Sequence, residues 1–461
     1  MKTFNQTKPI PKLIRWGIIF IIIGVIFPIY GTPAGFLGLP RITFFRLGLL
    51  ILILSLYMYR ISIFPVLIKQ KPVAFLCLLF IFRLMSLVLT SDINFINGVT
   101  QIWWYSQGLL CLVSILALQR HWPQLKRYLY SKIFLFGTIA SIFSFYQFIQ
   151  LVTLKNVSHL PFAMTKFGLV DGLYESWYPL GPGGRIVGSF FDPNMTGTFL
   201  VLFLCLLLPN VSFKSGKKFP LYLLIMSITI IAMVGTGSRQ ALAISALIIF
   251  IYIFVTIARK YDWTLKAPAR IIFILIGLYF GYSFFNFMMS SREESFIFQG
   301  GNRVNAISRL KDDLQNGLLA ISIAEAAGPK MLGTRYTSSQ IMLSELSYKT
   351  LVLGEGEGEG YWSAHNAWII VIYENGVWAV MFLFFAGYLM FIKAFKNARR
   401  FSKQKIFDPQ VIAGPLIVIS WLLMLTINWA QLNQSFPWIF LALVTMPPRL
   451  VPLQRKRTLV K

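Results

Sequence analysis

Three short stretches of this sequence gather residue types able to hold a phosphate or move a proton. In Gly181-Pro182-Gly183-Gly184-Arg185-Ile186-Val187-Gly188-Ser189-Phe190-Phe191-Asp192-Pro193-Asn194, Arg185 follows a glycine-rich run and precedes Asp192 and Asn194. Backbone N–H groups beside a fixed guanidinium suit a phosphate, while Asp192 or Asn194 suits the cap of a following helix. An ordinary loop arginine ahead of a helix cap reads equally well. In Gly235-Thr236-Gly237-Ser238-Arg239-Gln240, Arg239 occupies a turn between two apolar runs. A cation held there either meets a lipid diphosphate or snorkels at the interface. The third stretch, Ser363-Ala364-His365-Asn366-Ala367-Trp368 and onward to Tyr373, reads as a short helix with Ser363 as a possible N-cap. Glu374-Asn375-Gly376 then forms a polar break, with glycine where a C-cap favours it. An imidazole at His365 can take the proton of an attacking sugar hydroxyl near neutral pH, although a lone histidine is more often structural.

Other groups are weaker candidates. Arg83 lies past the middle of an apolar run, where a charge costs roughly 2.5–3.5 kcal/mol on insertion scales. It is either functional or paired with Asp92 through bending of the helix end. Arg303, Arg309 and Arg335 add guanidinium groups in a later loop, each of which alone is more often a solvated charge. His121 and His159 have no visible partner, so three scattered histidines without a cysteine pair predict no metal site. No cofactor is expected. The tract Gly354-Glu355-Gly356-Glu357-Gly358-Glu359-Gly360 reads first as a mobile, solvated loop, because its glycines resist regular structure. A lid or a cation-binding strip is the sharper alternative, but the tract lacks the pattern of a calcium loop.

The elements that must position these groups are set by hydropathy. With 56% hydrophobic residues, 13% charged residues and a mean hydropathy of +0.67, the chain departs far from ordinary soluble domains. Its apolar residues form long uncharged runs that approach the roughly 20 residues needed to cross a bilayer. The runs predict about a dozen spans, near 13–30, 44–63, 72–90, 101–119, 132–153, 190–208, 219–235, 239–257, 270–289, 377–395, 411–427 and 431–447. The chain is therefore expected to be an all-α polytopic membrane protein forming one transmembrane domain over 1–461. The first run has lysines before it but no small-residue cleavage site after it, so it reads as a retained helix. Cys77, Cys111 and Cys205 fall inside spans without paired spacing and read as core packing.

The net charge of +27 would suit nucleic acid, but its placement argues for topology. Most basic residues fall on alternate connections, around Lys2–Arg15, Arg60–Lys71, Arg120–Lys132, Lys214–Lys218, Arg259–Arg270, Lys393–Lys405 and Arg449–Lys461, with only Asp262 and Asp408 opposing them. The positive-inside rule puts those connections and both termini in the cytoplasm, facing anionic lipid. No nucleic-acid motif accompanies them. Two connections on the other face, 154–189 and 290–374, are too long for turns, and the second carries helical periodicity near 304–327 and 338–353. There is no convincing internal repeat and no pair of matching interrupted helices, which disfavours the common transporter architectures.

Taken in order, these segments resemble the O-antigen ligase and polymerase superfamily of bacterial envelope glycosyltransferases. Arg185 to Asn194 is similar to its Arg-x-x-Gly-x-Phe-x-x-Pro-Asn segment, and Gly237-Ser238-Arg239-Gln240-Ala241 to its Ser-Arg turn. Ala364-His365-Asn366 with Glu374-Asn375-Gly376 is similar to its His-Asn helix ending in Glu-x-Gly. Arg309 and Gly328-Pro329-Lys330-Met331-Leu332-Gly333 resemble weaker features of its large loop. The likeness covers roughly 180–396, and it departs at Gln240, where many relatives have glycine, and at the Gly-Glu tract.

The resemblance implies a GT-C-like enzyme of the bacterial cytoplasmic membrane, with an extracytoplasmic active site and an undecaprenyl-diphosphate-linked glycan as donor. The acceptor would be a glycan or lipid-linked glycan: another lipid glycan in a ligase, a repeat unit in a polymerase, or a protein by the same chemistry. His365 would be the catalytic base. Arg185, Arg239, Arg303, Arg309, Arg335 and Arg83 would be donor-binding candidates, and Asn194, Asn366, Glu374 and Gly376 would support them. Fixed guanidinium groups can stabilise a diphosphate leaving group without metal. A transporter of an inorganic anion such as bicarbonate would use the same arginines as a vestibule but would not need a base at His365. A non-catalytic scaffold would tolerate loss of all of them.

Overall fold

A computed structural model of the chain describes residues 9–26, 43–91, 94–154, 186, 188–190, 193–211, 218–258, 342, 346–357, 367–403, 408–425 and 435–447. Its regular elements are all helical: α1 (Lys12–Ile26), α2 (Phe44–Met58), α3 (Phe64–Lys69), α4 (Lys71–Leu87), α5 (Phe95–His121), α6 (Leu125–Leu154), α7 (Pro193–Asn210), α8 (Phe219–Gly235), α9 (Arg239–Ala258), α10 (Tyr348–Leu353), α11 (Ala367–Lys403), α12 (Pro409–Leu425) and α13 (Ser435–Thr445). No strand occurs among the described residues. Three segments, Phe95–His121, Leu125–Gln150 and Ala367–Arg400, are long and apolar enough to cross a membrane. The expected span at 270–289 and the expected helix at 304–327 lie outside the described residues.

Apolar runs become helices here because backbone groups away from water need partners within their own segment. Where each run stops is a local matter. The run expected over 44–63 ends early, at Met58. Arg60 adopts a left-handed φ of 49°, its N–H bonds the Tyr57 carbonyl at 3.0 Å, and the Ile61 N–H bonds the Leu56 carbonyl at 2.8 Å. That closed end consumes the last carbonyls of α2, and the chain restarts as the short α3 with Pro65 in its first turn.

The core sits around α7 and α13. Residues from Phe199 to Leu208 are buried without interruption, as are those from Phe436 to Met446. A helix apolar on every face belongs at the centre of a bundle. Around it α7 packs on α8, α9 and α12, α13 on α5 and α12, and α11 on α4 and α12. Phe199 joins the two central helices through Phe436 and Phe440, at centroid separations of 6.1 and 6.0 Å. Cys111 and Cys205 are buried in this core, and Cys77 is partly buried at its edge.

The outer helices instead leave large apolar side chains uncovered. Leu50, Ile53, Leu54, Tyr57 and Met58 on α2, and Phe384, Phe385 and Tyr388 on α11, are all exposed. A surface this apolar matches solvation by hydrocarbon. The first two helices pack closely, since a side chain at Gly24 would meet the Phe45 backbone and one at Gly48 would meet the Ile21 and Gly17 backbones.

One end of the bundle is marked by lysine. Lys126, at the start of α6, donates to the Met446 carbonyl at 3.0 Å, and Lys393 donates to the Thr445 carbonyl at 2.8 Å. Two cations thus cap the C-terminal end of α13, where the helix dipole favours them. Lys393 also holds the Gln70 side chain, at 2.6 Å, just before α4 begins. Both α4 and α6 therefore start at the lysine end and run away from it.

Candidate functional site

At the far end of α6, Gln147 is fully buried and reads the backbone of the segment that follows Arg185. Its Oε1 accepts the Gly188 N–H at 2.8 Å, and its Nε2 donates to the Gly188 carbonyl at 3.5 Å. The Ile186 N–H donates to the Gly235 carbonyl at 3.1 Å, so this segment lies directly on the end of α8. Phe190 anchors it to the core, with ring centroids 4.9 Å from Phe199 and 5.6 Å from Phe436.

The turn beyond α8 is fixed by its own hydroxyls. The Thr236 hydroxyl donates to the Met233 carbonyl at 2.6 Å and accepts the Ser238 N–H at 3.2 Å. The Ser238 hydroxyl accepts the Ala241 N–H at 3.4 Å, the N-cap contact of α9. Arg239 is consequently the first residue of α9, at its positive end, rather than part of the loop. Gln240 secures the start of α9 to α12 through the Met424 carbonyl at 3.4 Å. Asn194 falls in the first turn of α7, half-buried and engaged in contacts.

The second cluster forms at the far end of α4, around Arg83. Its guanidinium is buried and forms an ion pair with Glu357, which is also fully buried. Nε lies 3.1 and 3.0 Å from the two carboxylate oxygens. The guanidinium carbon lies over the Tyr105 ring, 4.9 Å from its centroid, and Gln101 accepts a long contact from Nη2 at 3.4 Å. The Glu374 carboxylate adds a further coulombic attraction. Desolvating Arg83 is thus offset by a carboxylate, a ring and an amide together. Asp92, the partner considered from sequence, lies outside the described residues.

Residues 354–357 of the Gly-Glu tract are therefore not a solvated loop, as expected, but an inserted strap. The Glu355 N–H donates to the Tyr373 carbonyl at 2.8 Å, the Gly356 N–H to the Glu374 carbonyl at 3.1 Å, and the Glu357 N–H to the Ser86 carbonyl at 3.4 Å. The Ser86 hydroxyl also donates to the Glu374 carbonyl, and the Thr90 hydroxyl to the Glu357 carbonyl at 2.8 Å. Glycine lets the strap enter: Gly354 has φ 82°, and any side chain there would strike the Glu374 backbone.

Opposite the strap, α11 breaks where the sequence predicts. Gly376 has φ 76° and ψ 175°, splitting a helix that starts at Ala367 from the longer apolar one that follows. Glu374 and Asn375 are buried at this corner. The Asn375 amide has neither its nitrogen nor its oxygen paired among the described residues, and the same holds for the Ser189 hydroxyl of the first cluster. Buried orphans of this kind are rare.

The structure thus joins the Arg185 and Arg239 segments through backbone and sets the Glu374–Gly376 corner on the Arg83 cluster. Both clusters lie away from the lysine end. The side chains of Arg185, Arg239, Arg303, Arg309, Arg335, His365 and Asn366 lie outside what is described. Sequence reasoning missed Glu357, Gln147 and Gln101. A buried arginine demands a carboxylate, but spacing alone could not choose among Glu355, Glu357 and Glu359. A scan against protein-family models finds no match to this chain, and a search of curated proteins finds none either.

Proposed function

We propose that this chain is a metal-independent glycosyltransferase of the bacterial cytoplasmic membrane, with about a dozen transmembrane helices in a GT-C-like arrangement. In this reading the lysine-capped end faces the cytoplasm together with both termini. The opposite end, bearing the two clusters, forms the extracytoplasmic site. The donor is an undecaprenyl-diphosphate-linked oligosaccharide, and the acceptor is a glycan or lipid-linked glycan, as in a ligase or a repeat-unit polymerase.

The acceptor hydroxyl attacks the anomeric carbon from the face opposite the diphosphate. Its proton passes to His365, the glycosidic C–O bond breaks, and the polyprenyl diphosphate leaves with the bonding electrons, inverting the centre. Arg185 and Arg239 are assigned to the developing diphosphate charge, with Arg303, Arg309 or Arg335 as further donors. Arg83, already engaged by Glu357, is assigned to holding the strap rather than to the donor. Asn194, Asn366, Glu374 and Gly376 support the segments that carry these groups.

The observation that carries this reading is the hydrogen bond from Ile186 to Gly235, which brings the neighbours of two candidate phosphate-binding arginines onto one short stretch of backbone. The test is reconstitution with a lipid-diphosphate oligosaccharide and candidate acceptors. His365→Ala is expected to slow transfer by about 100- to 10,000-fold, the range of general-base catalysis. Arg239→Ala should do so comparably. Undiminished transfer by both variants overturns the assignment, and anion flux without transfer replaces the enzyme with a transporter.

A further inference from the structure

At the lysine end, a cavity of about 190 Å³ opens between α3, the end of α5 and Pro447, two residues beyond α13. Its walls include Pro65 and Val66 from α3, Leu116 from α5 and Pro447. Its polar groups are Lys69, Gln70, Gln119 and Arg120. Gln70 is already held by Lys393. Gln119 is only 6% exposed, and its amide has no hydrogen-bond partner among the described residues. Lys69 and Arg120 stand exposed at the rim without a carboxylate opposite them among the described residues.

The surface outside the rim is apolar. Phe64 and Ile68 are 65% and 64% exposed, and their spacing of four residues puts them on one stripe of α3, beside the Pro65 and Lys69 stripe that lines the cavity. A free anion has no use for that stripe. A ligand with a phosphate at one end and acyl chains at the other matches both surfaces, and basic pockets between helices on the cytoplasmic side suit lipid headgroups.

We propose that this cavity binds the headgroup of an anionic phospholipid of the cytoplasmic leaflet. The phosphodiester lies between Lys69 and Arg120, the Gln119 amide meets the headgroup hydroxyls inside the cavity, and the acyl chains run along Phe64 and Ile68. This site goes beyond glycan transfer and shares with it only the assignment of the lysine end to the cytoplasm.

The test compares purified full-length protein in detergent by native mass spectrometry and thermal unfolding. The probes are phosphatidylglycerol, phosphatidylcholine with the same chains, and inorganic phosphate. Wild type is expected to retain phosphatidylglycerol preferentially and to unfold at higher temperature with it. The Lys69→Gln/Arg120→Gln double variant should bind it about 30-fold more weakly. Gln119→Leu should bind it about tenfold more weakly. Lys71→Gln, an exposed cation outside the lining, should bind as wild type. Equal retention of phosphatidylcholine, wild-type binding by both cavity variants, or equal stabilisation by inorganic phosphate overturns the proposal. If the double variant unfolds without lipid, Gln119→Leu still decides the outcome, because it leaves every charge in place.

Discussion

Ile186 and Gly235 share a backbone hydrogen bond of 3.1 Å, although Ile186 precedes α7 and Gly235 is the last residue of α8. A backbone contact of this kind fixes chain position regardless of side-chain rotamer. Ile186 and the Thr236–Ser238 turn that leads into α9 therefore begin from a common reference point.

Breaking one side of the Arg83–Glu357 pair should be severe. Glu357→Gln leaves a buried guanidinium without its counter-charge and is expected to cost about 3–5 kcal/mol, read from thermal or denaturant unfolding in detergent. The Arg83→Met/Glu357→Met double variant, which removes both charges, should recover most of that loss. Wild-type stability for Glu357→Gln would mean that the pair does not hold the strap.

Gly376→Ala should be destabilising in its own right. At φ 76° and ψ 175° a side chain carries a penalty of roughly 1–3 kcal/mol, and the Val352 backbone leaves it no room. Because the break sets the direction of the helix that begins just after His365, glycan transfer should fall along with the unfolding temperature. Transfer at the wild-type rate in Gly376→Ala would dissociate this corner from catalysis.

Replacing Gln147 by leucine keeps its volume but strands the Gly188 N–H and carbonyl away from water. The expected cost is about 1–3 kcal/mol per unsatisfied group. Hydrogen exchange at the Gly188 amide should accelerate in this variant more than exchange at the centre of α7. Unchanged protection of Gly188 would show that the amide bridge is dispensable.

Ser238 separates fold from function. Ser238→Ala loses the cap of α9 and should cost about 0.5–2 kcal/mol, whereas Ser238→Asp keeps a capping oxygen at the positive end of α9. The aspartate adds a negative charge beside Arg239, so KM for a diphosphate donor should rise in Ser238→Asp. An unchanged KM would argue against a phosphate at this turn.

Much of the helical layout was legible because uncharged runs leave few alternatives. α7, α8, α9, α12 and α13 fall where hydropathy puts them, within a few residues at each end. The early end of α2 was not legible, since a left-handed arginine at position 60 leaves no compositional trace. The Gly376 break was readable from local residue preferences, which act over three or four positions, whereas the Ser238 cap went unread inside what the sequence presented as a plain turn. The pairing of Arg83 with Glu357 was not, because it depends on which distant carboxylate the folded chain delivers. The Gly-Glu tract misled for the same reason: glycine is common in solvated loops, but it also lets backbone pass where no side chain fits.

The partners in the Arg83–Glu357 pair are 274 positions apart. At translation rates of roughly 5–20 residues per second, the arginine is made roughly 15 to 55 seconds before the glutamate that neutralises it. In the proposed membrane reading, the nascent α4 carries an uncompensated charge during that interval, which favours holding it near the insertion machinery or the water interface. On that proposal, final seating of this helix is a late event in biogenesis, and a chain truncated before the strap is expected to leave α4 shallow or expelled.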